Sequence, residues 1–328
     1  MTTLVTGATG HLGCNLVREL LDRGEKVRVF LRPESGKKEL EGLDVEKSFG
    51  ELGDEKSIEK AVQGCGKVYH LAAFVSIRSG DKGILYDTNV LGTRRLMQAC
   101  RKEGVQKVVH CSSFGAIGIN PNGPSTEKWT VSPYELTTDY EISKTFAELE
   151  VYREIANGLP AVIVNPSGIV GPWDFRPSLL GKTIIDFAKK KMRGYVDGAF
   201  DFVSYKDVVQ GHILAMEKGE IGKRYLLTGE QLTILQTLEW LQELTGVPMP
   251  TMKIPNKLLQ NVAIVKDWVE RKYFPDVMPR FNYHSIRLLT SGKCADNSWT
   301  IKELGYTKSS VKEAYRESVE WFREFGYF

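Results

Sequence analysis

Thr6-Gly7-Ala8-Thr9-Gly10-His11-Leu12-Gly13 follows the short apolar run Leu4-Val5 and precedes apolar residues at helical spacing from Leu12 to Leu21. Strand, glycine turn and helix in that order give the stretch a use. Glycine at the turn permits positive φ and lets a bound group approach the backbone, while N–H groups at the positive end of a helix attract a pyrophosphate. The stretch predicts a dinucleotide site in which Gly7, Thr9, Gly10, His11, Leu12 and Gly13 line the phosphate groove, His11 through its backbone alone.

Working outward, the chain alternates strand and helix. Lys26 to Leu31, Val45 to Phe49, Lys67 to Leu71 and Lys107 to Cys111 read as strands. Between them the pattern predicts a helix over 54–63 capped by Asp54 and a long helix over about 82–102 ending at Gly104. A helix over about 136–156 stops at Asn157-Gly158 and leads into the apolar strand Ala161 to Val164. Repeated βα units imply an α/β fold, a Rossmann-type doubly wound parallel sheet. After Pro166 the character changes. Strands at 201–205 and 224–227 around a helix at 206–217 are expected to rejoin the sheet. This gives a dinucleotide domain of residues 1–165 with 198–228 returning to it. Residues 166–197 and 229–328 form a smaller, mostly helical C-terminal substrate lobe.

Tyr140-Glu141-Ile142-Ser143-Lys144 lies on the third of these helices. Spacing of four puts phenol and ammonium on one face, where the cation favours the phenolate and is expected to acidify the phenol. Such a phenol is a proton donor for a carbonyl oxygen.

Composition fits an enzyme of this kind. The chain has 328 residues, 42% of them hydrophobic, with 44 basic against 41 acidic side chains and a net charge of +3. That balance gives no reason to expect a nucleic-acid partner. Cys14, Cys65, Cys100, Cys111 and Cys294 show no paired spacing and read as buried thiols in a reducing compartment. His70, His110, His212 and His284 are too scattered for a metal site and read as structural residues with satisfied hydrogen bonds. No apolar run reaches the length of a membrane span and the first strand starts at Met1, so a cytoplasmic protein is expected.

Thr6 to Gly13, His70-Leu71-Ala72-Ala73, Asn89-Val90-Leu91-Gly92-Thr93, Ser112-Ser113, Tyr140 with Lys144, and Asn165-Pro166 occur in one order. In that order the chain resembles the extended short-chain dehydrogenase/reductases, the NAD-dependent epimerase/dehydratase superfamily, over nearly its whole length. Asn165 to Pro172 and Glu303-Leu304-Gly305-Tyr306 make it most similar to the dihydroflavonol 4-reductase-like branch, which includes hopanoid-associated sugar epimerases. The resemblance implies a catalytic set of Ser113, Tyr140 and Lys144: Tyr140 exchanges a proton with the reacting oxygen, Ser113 donates a hydrogen bond to it, and Lys144 holds the nicotinamide ribose. It also implies cofactor contacts from Leu71, Ala72, Ala73, Thr88, Pro166 and Ile169. Glu51-Leu52 stands where the family has Asp-Leu near the adenine. Asn89 braces the sheet or touches the cofactor.

The second strand ends Phe30-Leu31-Arg32, followed by Lys37-Lys38, where NAD enzymes of this kind usually place a carboxylate. Arg32 is suited to clamp a 2′-phosphate with Lys38 adding charge, so NADP is expected over NAD. Three functions are open: an NADP-dependent reductase of an aldehyde or ketone, a nucleotide-sugar epimerase or dehydratase with tightly bound NAD, and a dinucleotide-binding redox sensor. An intact Ser113, Tyr140 and Lys144 argue against the sensor. Phe200 before Asp201-Phe202, where sugar-nucleotide enzymes commonly have arginine, argues against the second. Asp174 and Arg176 are candidates to read substrate polarity or form a local pair, and Trp173, Phe175 and Tyr195 line the pocket or join the core. Leu96, Met97, Phe146 and Leu149 are expected either to make a homodimer contact or to pack on their own sheet.

Overall fold

Buried apolar strands divide the molecule's core into layers. The computed structural model describes the chain apart from residues 34, 37, 79, 274–282, 284, 285, 287–289 and 291, so Lys37 and His284 lie outside the described residues. Seven strands form one parallel sheet in the order β3-β2-β1-β4-β5-β6-β9. They are β1 (Thr2–Thr6), β2 (Lys26–Leu31), β3 (Glu46–Phe49), β4 (Cys65–His70), β5 (Lys107–Cys111), β6 (Ala161–Pro166) and, later in the chain, β9 (Arg224–Leu227). β5 and β6 carry Val108, Val109 and Val162 to Val164 fully buried, as a sheet covered on both faces requires.

Helices α1 (His11–Asp22) and α7 (Tyr205–Lys218) pack on each other on one face. On the other, α2 (Glu55–Val62), α4 (Gly92–Lys102) and α5 (Asp139–Ala156) lie side by side. Asp54 caps α2, accepting the Lys56 N–H as its sequence position predicts. The expected long helix is continuous but changes pitch: α3 (Lys82–Leu85) runs through a π-helical Tyr86–Leu91 into α4. Such wide turns are rare and concentrate at functional sites; this one carries Thr88 and Asn89.

One expectation fails. β8 (Ala199–Ser204) does not rejoin the parallel sheet; it pairs with β7 (Gly168–Val170) and β10 (Glu230–Thr233) in a separate three-stranded sheet. Phe202 and Leu232 on it bury with Val170, Phe187, Tyr315 and Phe322 in a core of their own, closed by α6 (Leu179–Ala188), α8 (Ile234–Thr245) and the C-terminal helix Val311–Glu324. α9 (Asn256–Tyr273) follows α8. Among the described residues no helix is long and apolar enough to cross a membrane.

Candidate active site

Most cofactor residues expected from the sequence follow the carboxyl ends of parallel strands, while Thr88, Tyr140 and Lys144 lie on helices. The order reverses between β1 and β4, which is where open α/β sheets form their crevice. Gly7 has φ +73°, and a Cβ there would stand 2.6 Å from the Ala72 nitrogen. A Cβ on Gly13 would run into the Gly7 carbonyl. These two glycines therefore press the turn against β4 and the helix against the turn. α1 begins at Gly10 with no side-chain cap and no acidic residue in its first turn, so its N–H groups and positive end fit a diphosphate. The residues present thus suit a dinucleotide.

The loop after β4 is fixed by a relay of hydroxyls. Thr93 Oγ1 donates to the Asn89 carbonyl at 2.6 Å, so His70 Nε2, 2.9 Å from that hydroxyl, must be the donor between them. His70 Nδ1 then accepts from Thr6 Oγ1 at 2.8 Å, and Thr6 Oγ1 accepts the Ala72 N–H. Asn89 bonds the Phe74 N–H and carbonyl through its two amide ends and reaches Ser143 Oγ at 2.9 Å. It braces the loop and α5. Leu71, Ala72 and Ala73 are half-buried above this scaffold, Thr88 is half-buried beside it, and Leu52 packs where a Cβ on Gly92 would sit. Pro166 ends β6 buried, Ile169 is half-buried on β7, and Glu51 is exposed.

Ser113 leaves β5 and caps a single 3-10 turn, Phe114–Ile117, its Oγ accepting the Gly115 N–H at 3.1 Å. The same hydroxyl lies close enough to the Tyr140 phenol to favour its ionised form. α5 starts at Thr138 with a full capping box closed by Glu141, which places Tyr140 in the first turn and Lys144 one turn on. The expected acidification is not found. Burial pushes the Tyr140 phenol up, and Ser113 opposes this only in part. Burial lowers Lys144, whose ammonium donates to the Cys111 carbonyl at 2.7 Å.

Sequence reasoning missed the groups beneath. Glu148 is buried one turn beyond Lys144, and its carboxylate accepts from Ser112 Oγ, from Asn165 Nδ2 at 2.7 Å and from Arg224 at 3.3 Å. Ser112, just after β5, is thus tied to a buried carboxylate. Asn165 Nδ2 also donates to the Ser113 carbonyl at 2.9 Å. Spacing of four from Lys144 was the available signal. Lys293, 4% exposed, donates to the Phe114 carbonyl at 2.7 Å and lies 4.4 Å from the Phe114 ring centre; burial lowers it to about 8, with Glu141 opposing.

Other expectations divide. Arg32 and Lys38 are exposed after β2. Lys38 lines a cavity of about 700 Å³ with Arg18, Trp173 and Phe175, and Arg18 stacks on Trp173 at 3.7 Å. Tyr195 is half-buried against the second core. Asp174 and Arg176 are not partners: Asp174 accepts the Ser178 N–H, while Arg176 pairs with Glu39 at 3.0 Å. His110 is fully buried and neither ring nitrogen has a hydrogen-bond partner, against the satisfied role expected. His212 bonds only through Nδ1, to the Val208 carbonyl. Cys14, Cys65 and Cys100 are buried, whereas Cys111 and Cys294 are half-buried; all are free thiols, and no metal-binding cluster occurs among the described residues. Leu96 and Met97 are fully buried in their own sheet's core and are not available to a second subunit, whereas Leu149 is 52% exposed.

This strand-end groove, with a serine, a tyrosine and a lysine at one end, defines a nicotinamide-dependent α/β enzyme. The chain belongs to the NAD dependent epimerase/dehydratase family, whose model matches residues 3–227. It is 58% identical over 326 residues, 99% of each chain, to sterol demethylase protein B of Methylococcus capsulatus. A Synechocystis protein named for dihydroflavonol 4-reductase is 35% identical over 98% of this chain and 95% of its own. Mouse sterol-4-alpha-carboxylate 3-dehydrogenase, decarboxylating, is 33% identical over 65% of this chain and 58% of its own.

Proposed function

We propose that the chain is an NADP-dependent dehydrogenase of a sterol-like alcohol bearing a carboxylate β to the reacting carbon. The Tyr140 phenol, raised by burial yet close enough to the Ser113 hydroxyl to be lowered by it, and one helical turn from Lys144, carries the redox reading. Similarity along the whole chain to a sterol demethylase protein, and in part to a decarboxylating sterol-carboxylate dehydrogenase, supports the substrate class. When bound, the nicotinamide supplies the hydride acceptor and, oxidised, a positive charge. With cofactor bound, the positive charges of Lys144 and the oxidised nicotinamide would offset the burial of Tyr140, and its phenolate would take the hydroxyl proton as the alcohol becomes a ketone. The neighbouring carboxylate is then β to a carbonyl. Its bond to the ring carbon breaks, CO2 leaves, and the electron pair moves into an enolate whose oxygen Ser113 and Tyr140 hold. The proton kept by Tyr140 is the one the enolate needs at carbon.

Arg32 at the tip of β2 supports NADP through two-point contact with a 2′-phosphate. A second reading, reduction of a ketone by NADPH, is favoured by the raised Tyr140 phenol, which suits proton donation. Incubation with a 3β-hydroxy-4α-carboxysterol separates the two. Equal yields of reduced cofactor, CO2 and 3-ketone are expected; turnover of ketones alone would favour the second reading. The exposed Leu149 on α5 supports a homodimer contact.

A further inference from the structure

Residues 292–297 return from the C-terminal part of the chain to the catalytic turn. They have anchors of their own. Ser125 donates its N–H to the Cys294 carbonyl and accepts the Asp296 N–H, both at 3.0 Å. Gln231 Nε2 bonds the Gly292 carbonyl at 3.0 Å, and Asn297 Nδ2 bonds the Thr228 carbonyl at 2.9 Å. All of these are neutral. Holding the segment therefore does not call for a buried cation, and burying one is costly.

The ammonium of Lys293 instead reaches residues 179 and 178 positions away, bonding the Phe114 carbonyl at 2.7 Å and the Gly115 carbonyl at 3.4 Å. Asn165 holds the preceding carbonyl, that of Ser113, and Lys144 holds that of Cys111. Gly115 lies between Lys293 and Glu141, and a Cβ there would stand 2.9 Å from Glu141 Cγ. Glu141 attracts Lys293 and closes the cap next to Tyr140. We propose that Lys293 is a positioning residue that sets Ser113 against Tyr140 from the far end of the chain. The inference rests on the catalytic roles proposed above.

The test replaces Lys293 by Met and by Arg in the full chain and reads two quantities. Amide exchange is followed by mass spectrometry across residues 111–118, where the Ala116 and Gly118 amides bond to the Ser113 and Gly115 carbonyls. Turnover is measured with a 3β-hydroxy-4α-carboxysterol. Lys293→Met should raise exchange in that turn at least threefold and lower kcat at least tenfold, with the KM for cofactor changed less than twofold. Lys293→Arg should recover most of both. Should Lys293→Met melt below assay temperature, Lys293→Gln answers by the same readouts. Unchanged exchange in the turn overturns the proposal, as does a kcat loss that Arg does not recover. Full activity in Ser113→Ala would instead contradict the catalytic reading, leaving the exchange result to decide what Lys293 holds.

Discussion

Replacing Glu148 with Ala removes one carboxylate and strands three partners. Glu148 and Arg224 keep only 3% and 11% of their side-chain surface, so solvent does not take over when the pair is broken. Loss of one member of a buried ion pair costs about 3–5 kcal/mol, because the survivor stays charged and unpaired. Arg224 keeps its bonds to the Glu127 and Trp129 carbonyls, which puts the expected loss near ~3 kcal/mol. Unfolding entropy of ~2.1 cal/mol/K per residue over 328 residues is ~0.7 kcal/mol/K, so Tm should fall by about 4–5 °C. Asn165 then loses the acceptor that orients it toward the Ser113 carbonyl, and kcat should fall about tenfold. Differential scanning fluorimetry and steady-state kinetics on Glu148→Ala and Glu148→Gln measure both effects. Glu148→Gln keeps the shape and should lose less. A Glu148→Ala protein with wild-type Tm and kcat would refute the view that this network supports the serine.

Tyr140→Phe should lose at least ~100-fold in kcat while binding cofactor normally by fluorescence titration, since the phenol acts on the reacting oxygen; intact turnover would remove Tyr140 from the mechanism. Arg32→Ala should weaken NADPH about ten- to a hundredfold more than NADH, the effect of losing one charge-assisted contact, with Lys38→Ala acting the same way but less; equal weakening of both cofactors counts against a role in reading the phosphate. His70 and His212 are held neutral by burial, at about 3 and about 4. The unfolded chain therefore binds more protons below the ordinary imidazole range, and stability contributed by these groups is present above pH ~6.5 and lost as pH falls, by ~1.4 kcal/mol per unit for each. Urea titrations at pH 6.5 and 5.5 check this, and equal midpoints would contradict it. Leu149→Glu should convert a dimer to monomer in sedimentation at micromolar concentration, whereas a wild-type monomer would rule out the dimer.

Legibility in the sequence followed the range of the interaction. The glycine turn was readable because Gly7 needs positive φ within a few residues of a strand and a helix. Tyr140 and Lys144 were readable because helical spacing alone puts them on one face. Asp54 announced α2 by its own side chain. β8 was misassigned because a short alternating strand looks the same whichever sheet receives it, and its neighbours β7 and β10 lie far from it in sequence. The state of the phenol depended on burial and on the neighbouring Cys111, neither of which spacing encodes. Lys293 and Arg224 meet the site across long separations and leave no local pattern. His110 shows the same limit: its position on β5 was clear, its unpartnered ring was not.

In the proposed reaction, Ser113, Tyr140 and Lys144 pass a proton during hydride transfer on a carboxylated sterol-like alcohol. Its most direct test is a single reaction with a 3β-hydroxy-4α-carboxysterol labelled with 14C in the carboxyl group, run with NADP+ and, separately, NAD+, on wild type and Tyr140→Phe. Released 14CO2 should match reduced nicotinamide mole for mole in the wild type, faster with NADP+, and fall at least ~100-fold in Tyr140→Phe. Absence of both products from the wild type, or their undiminished release by Tyr140→Phe, would contradict it.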